Sequence, residues 1–203
     1  MKTVLVVLGV LVAVLVVGAL FLTGQYNGLV NRSQAVDAQW AQVQNVYQRR
    51  ADLIPNLVST VSGAANFEKS TLTEVTNARA SVGKVQINSN GTPSAAQLAE
   101  FERAQGSLSS ALSRLLVVAE NYPSLKATAN FQELQAQLEG TENRISVERG
   151  RFNDLARDYN AAIKRVPAVF FAGIFGFKEK AYFAAKPGSE DAPKVEFDFN
   201  KKP

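Results

Sequence analysis

The 203-residue chain contains no cysteine and no histidine. Without cysteine there is no disulfide, no lipid-modified cysteine and no thiolate metal site. Without histidine, Ser-His-Asp and Cys-His catalysis, the common zinc sites and the Glu-x-x-His iron motif of ferritin-like bundles are excluded. The usual proton-transfer group is missing too. Neither a G-x-x-x-x-G-K-[ST] phosphate loop nor a G-x-S-x-G elbow occurs. No enzymatic activity, cofactor or metal is therefore expected. The 22 basic and 18 acidic residues leave a net charge of +4, scattered without a long run, so nucleic acid is not an expected partner. A mildly basic balance does suit a body held near anionic lipid.

Charge and proline are absent from one stretch above all. Val4 to Leu22 carries neither, and Gly9 and Gly18 are its only small breaks. At about 1.5 Å per residue these 19 positions form a helix of about 28 Å, close to the ~30 Å hydrocarbon core. In lipid each backbone amide must bond within its own segment, which leaves only a helix. A cleaved signal peptide is the competing reading, with Lys2 as its basic start and Val17-Gly18-Ala19 as its cleavage site, but the apolar run exceeds the usual 7–15 residues. The expectation is a single-pass anchor, residues 1–25. Lys2 lies on one side, and Arg32, offset by Asp37, on the other. That balance places the N-terminus inside and the body outside the cytoplasm.

Beyond the anchor the chain repeats in sevens. Tyr26, Leu29, Ser33, Val36, Trp40, Val43 and Tyr47 alternate steps of three and four, the stripe of a helix packed on helices. Arg49 to Pro55 interrupts it. Proline in a helix interior costs about 3 kcal/mol but little in a first turn. The spacing predicts a tight turn at Arg49–Asp52, with Asp52 as N-cap of a new helix from Leu53; the alternative is one long helix kinked at Pro55. Arg49 and Arg50 then read as solvated residues beside a cap. The second helix carries Ile54, Val58, Val61, Ala65, Glu68, Leu72, Val75, Arg79 and Val82, and a loop follows at residues 83–93. Thr92 with Pro93 starts a third helix, which stops before Tyr122-Pro123. Asn130 and Glu133 form a capping box for a fourth, with Phe131, Leu138, Ile145, Phe152, Tyr159 and Val166 on its stripe. Gly106, Gly140 and Gly150, inside helices, are expected where helices approach closely. Glu68 and Glu148 fall on core stripes, where a place at the stripe's edge, or pairing with an arginine such as Arg79, Arg144 or Arg149, is expected over a cation site.

The expected fold is all-α: an N-terminal transmembrane helix, then a long antiparallel four-helix bundle over residues 26–166 (helices about 26–49, 53–83, 94–120 and 130–166), then an aromatic-rich C-terminal tail, 167–203, ending in a short strand. Val195 to Phe199 alternates apolar with acidic residues, the pattern of that strand. The tail holds eight of the chain's aromatics, with lysines among them. A fourth helix that returns to the membrane sets Phe170, Phe171, Phe175, Phe177, Lys178, Lys180, Tyr182 and Phe183 at the lipid interface or a subunit contact. The competing arrangement folds the phenylalanines back to cap the bundle's open end.

Tyr26-Asn27, Leu29-Val30, Arg32, Trp40 and the run from Arg49 to Val58 (RRADLIPNLV) resemble the LemA family. So do Ala78-Arg79, Glu120-Asn121-Tyr122-Pro123, Glu139 to Ile145 (EGTENRI), Tyr159-Asn160 and Phe175-Gly176-Phe177. The resemblance implies a membrane helix and a long antiparallel bundle in a bacterial envelope protein, without an assigned enzymatic activity. Some members are encoded beside membrane proteases or other envelope proteins, which implies partner binding. The family has often been drawn with its N-terminus outside, opposite to the charge count. The function expected is a self-associating envelope scaffold or adaptor, its partners the lipid bilayer, further copies and other envelope proteins. A membrane-anchored sensor with a small ligand in the bundle core is the alternative.

Overall fold

The computed structural model describes residues 2–64, 67–85 and 91–184. Its first element, α1, is one helix of 61 residues, Lys2–Ser62. The apolar stretch thus runs straight into the body, and the turn expected at Arg49–Asp52 is not there. The reason lies in the stripe. Val36, Trp40, Val43, Tyr47, Arg50, Ile54, Leu57 and Val61 are buried at unbroken steps of three and four, so a helix that turned at residue 49 would forfeit half of its packing face. Pro55 has no N–H for the carbonyl of Ala51, four residues back. Arg79 supplies the missing donor: its Nε–H donates to that carbonyl at 3.0 Å.

Among the described residues four further α-helices follow: α2 (Lys69–Lys84), α3 (Ala95–Ala119), the short α4 (Pro123–Lys126) and α5 (Ala129–Lys164), and a 3-10 turn at Ala168–Phe170. The first helix therefore ends at Ser62, not near residue 49, and α2, from Lys69, is shorter than expected. Two caps also shift. Ser94, not Thr92, caps α3 through a capping box with Gln97. Thr128, not Asn130, caps α5 by accepting from the Phe131 amide at 3.4 Å. No strand occurs among the described residues, and the one expected at 195–199 lies outside them. A Cβ built on Gly106, Gly140 or Gly150 would meet nothing within 4 Å, so these glycines face open space and not a neighbouring helix.

Cross-helix pairs fix the directions. Tyr47 packs edge-on against Phe101 and Arg50 reaches Gln105, so α1 and α3 run the same way. Gln39 bonds Glu148 and Arg50 bonds Glu142, so α5 runs back along α1 to the end where the apolar stretch enters. Two apolar clusters fill the body. The proximal one, nearer the apolar stretch, gathers Leu29, Val36, Trp40, Val43, Tyr47, Phe101, Phe152 and Tyr159. The distal one gathers Ile54, Leu57, Val61, Leu108, Leu112, Leu115, Phe131 and Leu138, with Leu72, Val75, Ala78 and Val82 from α2. The short α2 serves the distal cluster, and the chain after α5 serves the proximal one through Ala168, Ala172 and Phe183.

Arg50 sits where the two clusters meet, 1% exposed. Its Nη1 donates to Glu142 Oε1 at 2.6 Å and Ser109 Oγ at 2.8 Å, and its Nη2 donates to the side-chain oxygen of Gln105. The guanidinium lies 5.2 Å from the Tyr47 ring centroid. This is a paired, interior cation, not the solvated arginine expected beside a cap.

A candidate interaction site beside the apolar stretch

After α5 the backbone reverses tightly. Val169 N–H donates to Arg165 O at 2.9 Å, Ala172 N–H to Ala168 O at 2.8 Å and Phe175 N–H to Phe171 O at 3.1 Å. Gly176, at φ 79°, lets Phe177 N–H reach back to Ala172 O at 2.9 Å. The inner side of this turn is small: Ala168 and Ala172 are buried on the body. Its outer side is large and apolar. Val166, Phe170 and Ile174 are 76%, 73% and 82% exposed, and Val169 and Phe175 are also exposed.

Residues 177–184 then form a strap back along α5, held by two asparagines one heptad apart. Asn160 accepts the Lys180 amide at 2.8 Å and donates to the Lys180 carbonyl at 2.8 Å. Asn153 accepts the Phe183 amide at 2.9 Å and donates to its carbonyl at 3.0 Å. Each asparagine thus satisfies both backbone groups of one strap residue, as a neighbouring strand would. Lys180 Nζ pairs with Asp37 Oδ1 at 2.9 Å, and that carboxylate also accepts from Thr92 N–H at 3.1 Å. Phe183 enters the proximal core against Phe152 and Trp40, at 5.4 and 6.0 Å between ring centroids, with Arg149 4.5 Å above its other face.

The eight candidate residues therefore divide. Phe183 is core, and Phe171 and Phe177 are half-buried beside it. Lys180 is tied to Asp37, and Tyr182, though partly exposed, accepts from Asn160 Nδ2 at 2.9 Å. Phe170 and Phe175 are exposed apolar groups, and Lys178 is exposed close by. Tyr26 of α1 joins them, its ring 5.3 Å from Phe175 and 5.5 Å from Phe177, both edge-on. Asn153 and Asn160 were missed in the sequence. They stand seven apart on α5, a spacing that puts two polar groups on one face.

The interior offers little chemistry. Phe101 and Phe152 pack edge-on at 5.6 and 5.7 Å from Trp40, filling the space that a core ligand would need. A cleft of about 470 Å³ between α1, α2 and α3 is lined by Tyr47, Arg79, Phe101 and Gln105 among others, and no acidic residue lines it. Among the described residues no group of three or more carboxylates could hold a metal. Glu148 takes Gln39 and Arg151 as partners, and Glu68 bonds Ser70. Burial raises the Tyr47 phenol above its ordinary 10.0, against the pull of the Arg149 and Arg50 guanidiniums.

Residues 39–197 match the family model of the LemA family. The Magnetosome protein MamQ of Magnetospirillum gryphiswaldense is 27% identical over 186 residues, covering 82% of this chain and 67% of that protein. The Magnetosome protein MamQ 2 of Paramagnetospirillum magneticum is 27% identical over 205 residues, covering 92% of this chain and 74% of its own. With the family match spanning most of its length, the chain belongs to the LemA family.

Proposed function

We propose that the protein is a non-catalytic scaffold or adaptor of the bacterial envelope, working through self-association and contacts with other envelope proteins. The observation that carries this reading is the continuity of α1. A charge-free stretch, Val4–Leu22, and the body's packing face belong to one helix. Every large side chain of that stretch from Val4 to Leu22 is half-exposed or more when the chain stands alone. Each would gain about 1.5–3 kcal/mol on leaving water, which favours a bilayer by tens of kcal/mol. No hinge then separates membrane from body, so the body is held upright as an antiparallel four-helix bundle. Neither the family description nor the relatives' names denote an enzyme, in keeping with this role.

The proposed setting is the inner membrane, crossed once, with the body outside the cytoplasm and no nucleic acid among its partners. The natural lack of cysteine makes orientation easy to read, because a single Val117→Cys gives no background on labelling. Intact cells should label that exposed position with a membrane-impermeant maleimide; labelling only after lysis puts the body inside. Self-association is tested by light scattering of the full chain in mild detergent. A mass of two or more chains at micromolar concentration is expected, and a monomer rejects it. Proximity labelling from the body should recover a reproducible set of envelope proteins, and recovery of none rejects the adaptor role.

A further inference from the structure

The turn at residues 166–175 presents large apolar groups to solvent while its own backbone is hydrogen-bonded and its inner face is packed. It is thus a formed surface and not a loose tail. Its position follows from α1. Tyr26, which touches Phe175 and Phe177, comes four residues after Leu22, about 6 Å along the helix. Phe175 therefore stands within about one helical turn of the end of the apolar stretch, on the same hydrogen-bonded turn that exposes Val166, Phe170 and Ile174. Charge points the same way. Between residues 164 and 182 there are four basic side chains and one acidic, and Glu179 is bound to Lys164 at 2.7 Å. Arg165 and Lys178 remain exposed on either side of the apolar group. Aromatic and aliphatic side chains flanked by lysine and arginine are what the interfacial layer of an anionic leaflet accepts.

We propose that this turn is a second membrane contact, which seats Phe170, Ile174 and Phe175 in the headgroup layer of an anionic bilayer beside the anchor. The proposal rests on the anchor reading. Two contacts, the span and the turn, then fix which side of the body faces the leaflet.

The test uses full-length protein in vesicles, with Ile174→Trp as the reporter; the native Trp40 is buried and contributes a constant signal. Vesicles of phosphatidylcholine with about 30% phosphatidylglycerol are made with and without bromine on the acyl chains near the headgroup. Bromolipid should roughly halve the added emission, and Val117→Trp, exposed in the distal half, should be unaffected. Arg165→Gln with Lys178→Gln should weaken the quenching, as should vesicles of phosphatidylcholine alone. An Ile174→Trp reporter no more quenched than Val117→Trp overturns the proposal. So does a blue shift that follows protein density without bromine quenching, because a second copy is then the occupant. Flotation separates the two readings: protein that fails to float with vesicles refutes the anchor, whereas floating protein with an unquenched reporter refutes only the turn.

Discussion

Arg79 on α2 donates its Nε–H to the carbonyl of Ala51, the group that Pro55 leaves without an intrahelical partner. A residue 28 positions away thus completes the backbone of α1. The proline and the arginine should be energetically coupled. Arg79→Ala is expected to destabilise the body by about 1 kcal/mol, the usual worth of such a bond. In a Pro55→Ala background residue 55 regains its own N–H, and the same change should then have little effect. Urea denaturation in detergent for the four proteins of this cycle measures the coupling. Equal effects of Arg79→Ala in both backgrounds would show that the contact is incidental.

The buried guanidinium of Arg50 makes a second prediction. Removing one partner of a buried pair costs about 3–5 kcal/mol when the other stays uncompensated. Glu142 is partly solvated, with 45% of its side chain exposed, so Glu142→Gln should cost less than Arg50→Ala. Arg50→Met, which keeps the volume and discards the charge, should lie between wild type and Arg50→Ala. Thermal melts rank the three, and the reverse order would show that charge, and not volume, dominates the site.

The strap behaves as part of the core. Phe183→Ala should cost about 3–5 kcal/mol, like other buried phenylalanines. It should also red-shift the emission of Trp40, the chain's single tryptophan, by opening the cluster to water. Replacing Asn160 with Ala should do the same in milder form, since it strips both bonds from Lys180. Unchanged emission in both variants would mean that the strap is not needed to cover the ring.

Alkaline pH should loosen the body. Burial raises the Tyr47 phenol, and burial with the Asp37 carboxylate beside it raises Tyr159. Folding thus favours the neutral phenols: their contribution is complete below the ordinary tyrosine value of 10.0 and is lost as pH rises through the folded values. Urea midpoints should be steady near neutrality and fall above about pH 10. Tyr47→Phe with Tyr159→Phe should flatten that fall, and a fall of unchanged size would assign it to other groups.

Periodicity carried most of this architecture. The stripe from Tyr26 to Tyr47 led to the packing face of α1, and it continues at Arg50, Ile54, Leu57 and Val61 without a missed step. Two local signals obscured the continuation. Pro55 resembles a first-turn proline, and its remedy is a side chain from α2 that the α1 sequence does not contain. Arg50 carries a charge, and a charge on a core position is read as solvated until its partners Gln105, Ser109 and Glu142, 55 to 92 residues away, are known. The tail was legible as aromatic. Phe170 and Phe183 could not be told apart, because what separates them is the clamp from Asn153 and Asn160 on another element.

The unbroken length of α1 has a mechanical consequence. About 40 of its residues lie beyond Leu22, a lever of about 60 Å standing on the proposed membrane span. Hydrophobic spans answer changes in bilayer thickness by tilting. A tilt of about 10° at the pivot would sweep the far tip sideways by about 10 Å, because no joint absorbs it. Membrane thickness thereby becomes a coordinate that anything docked at the tip would register as displacement.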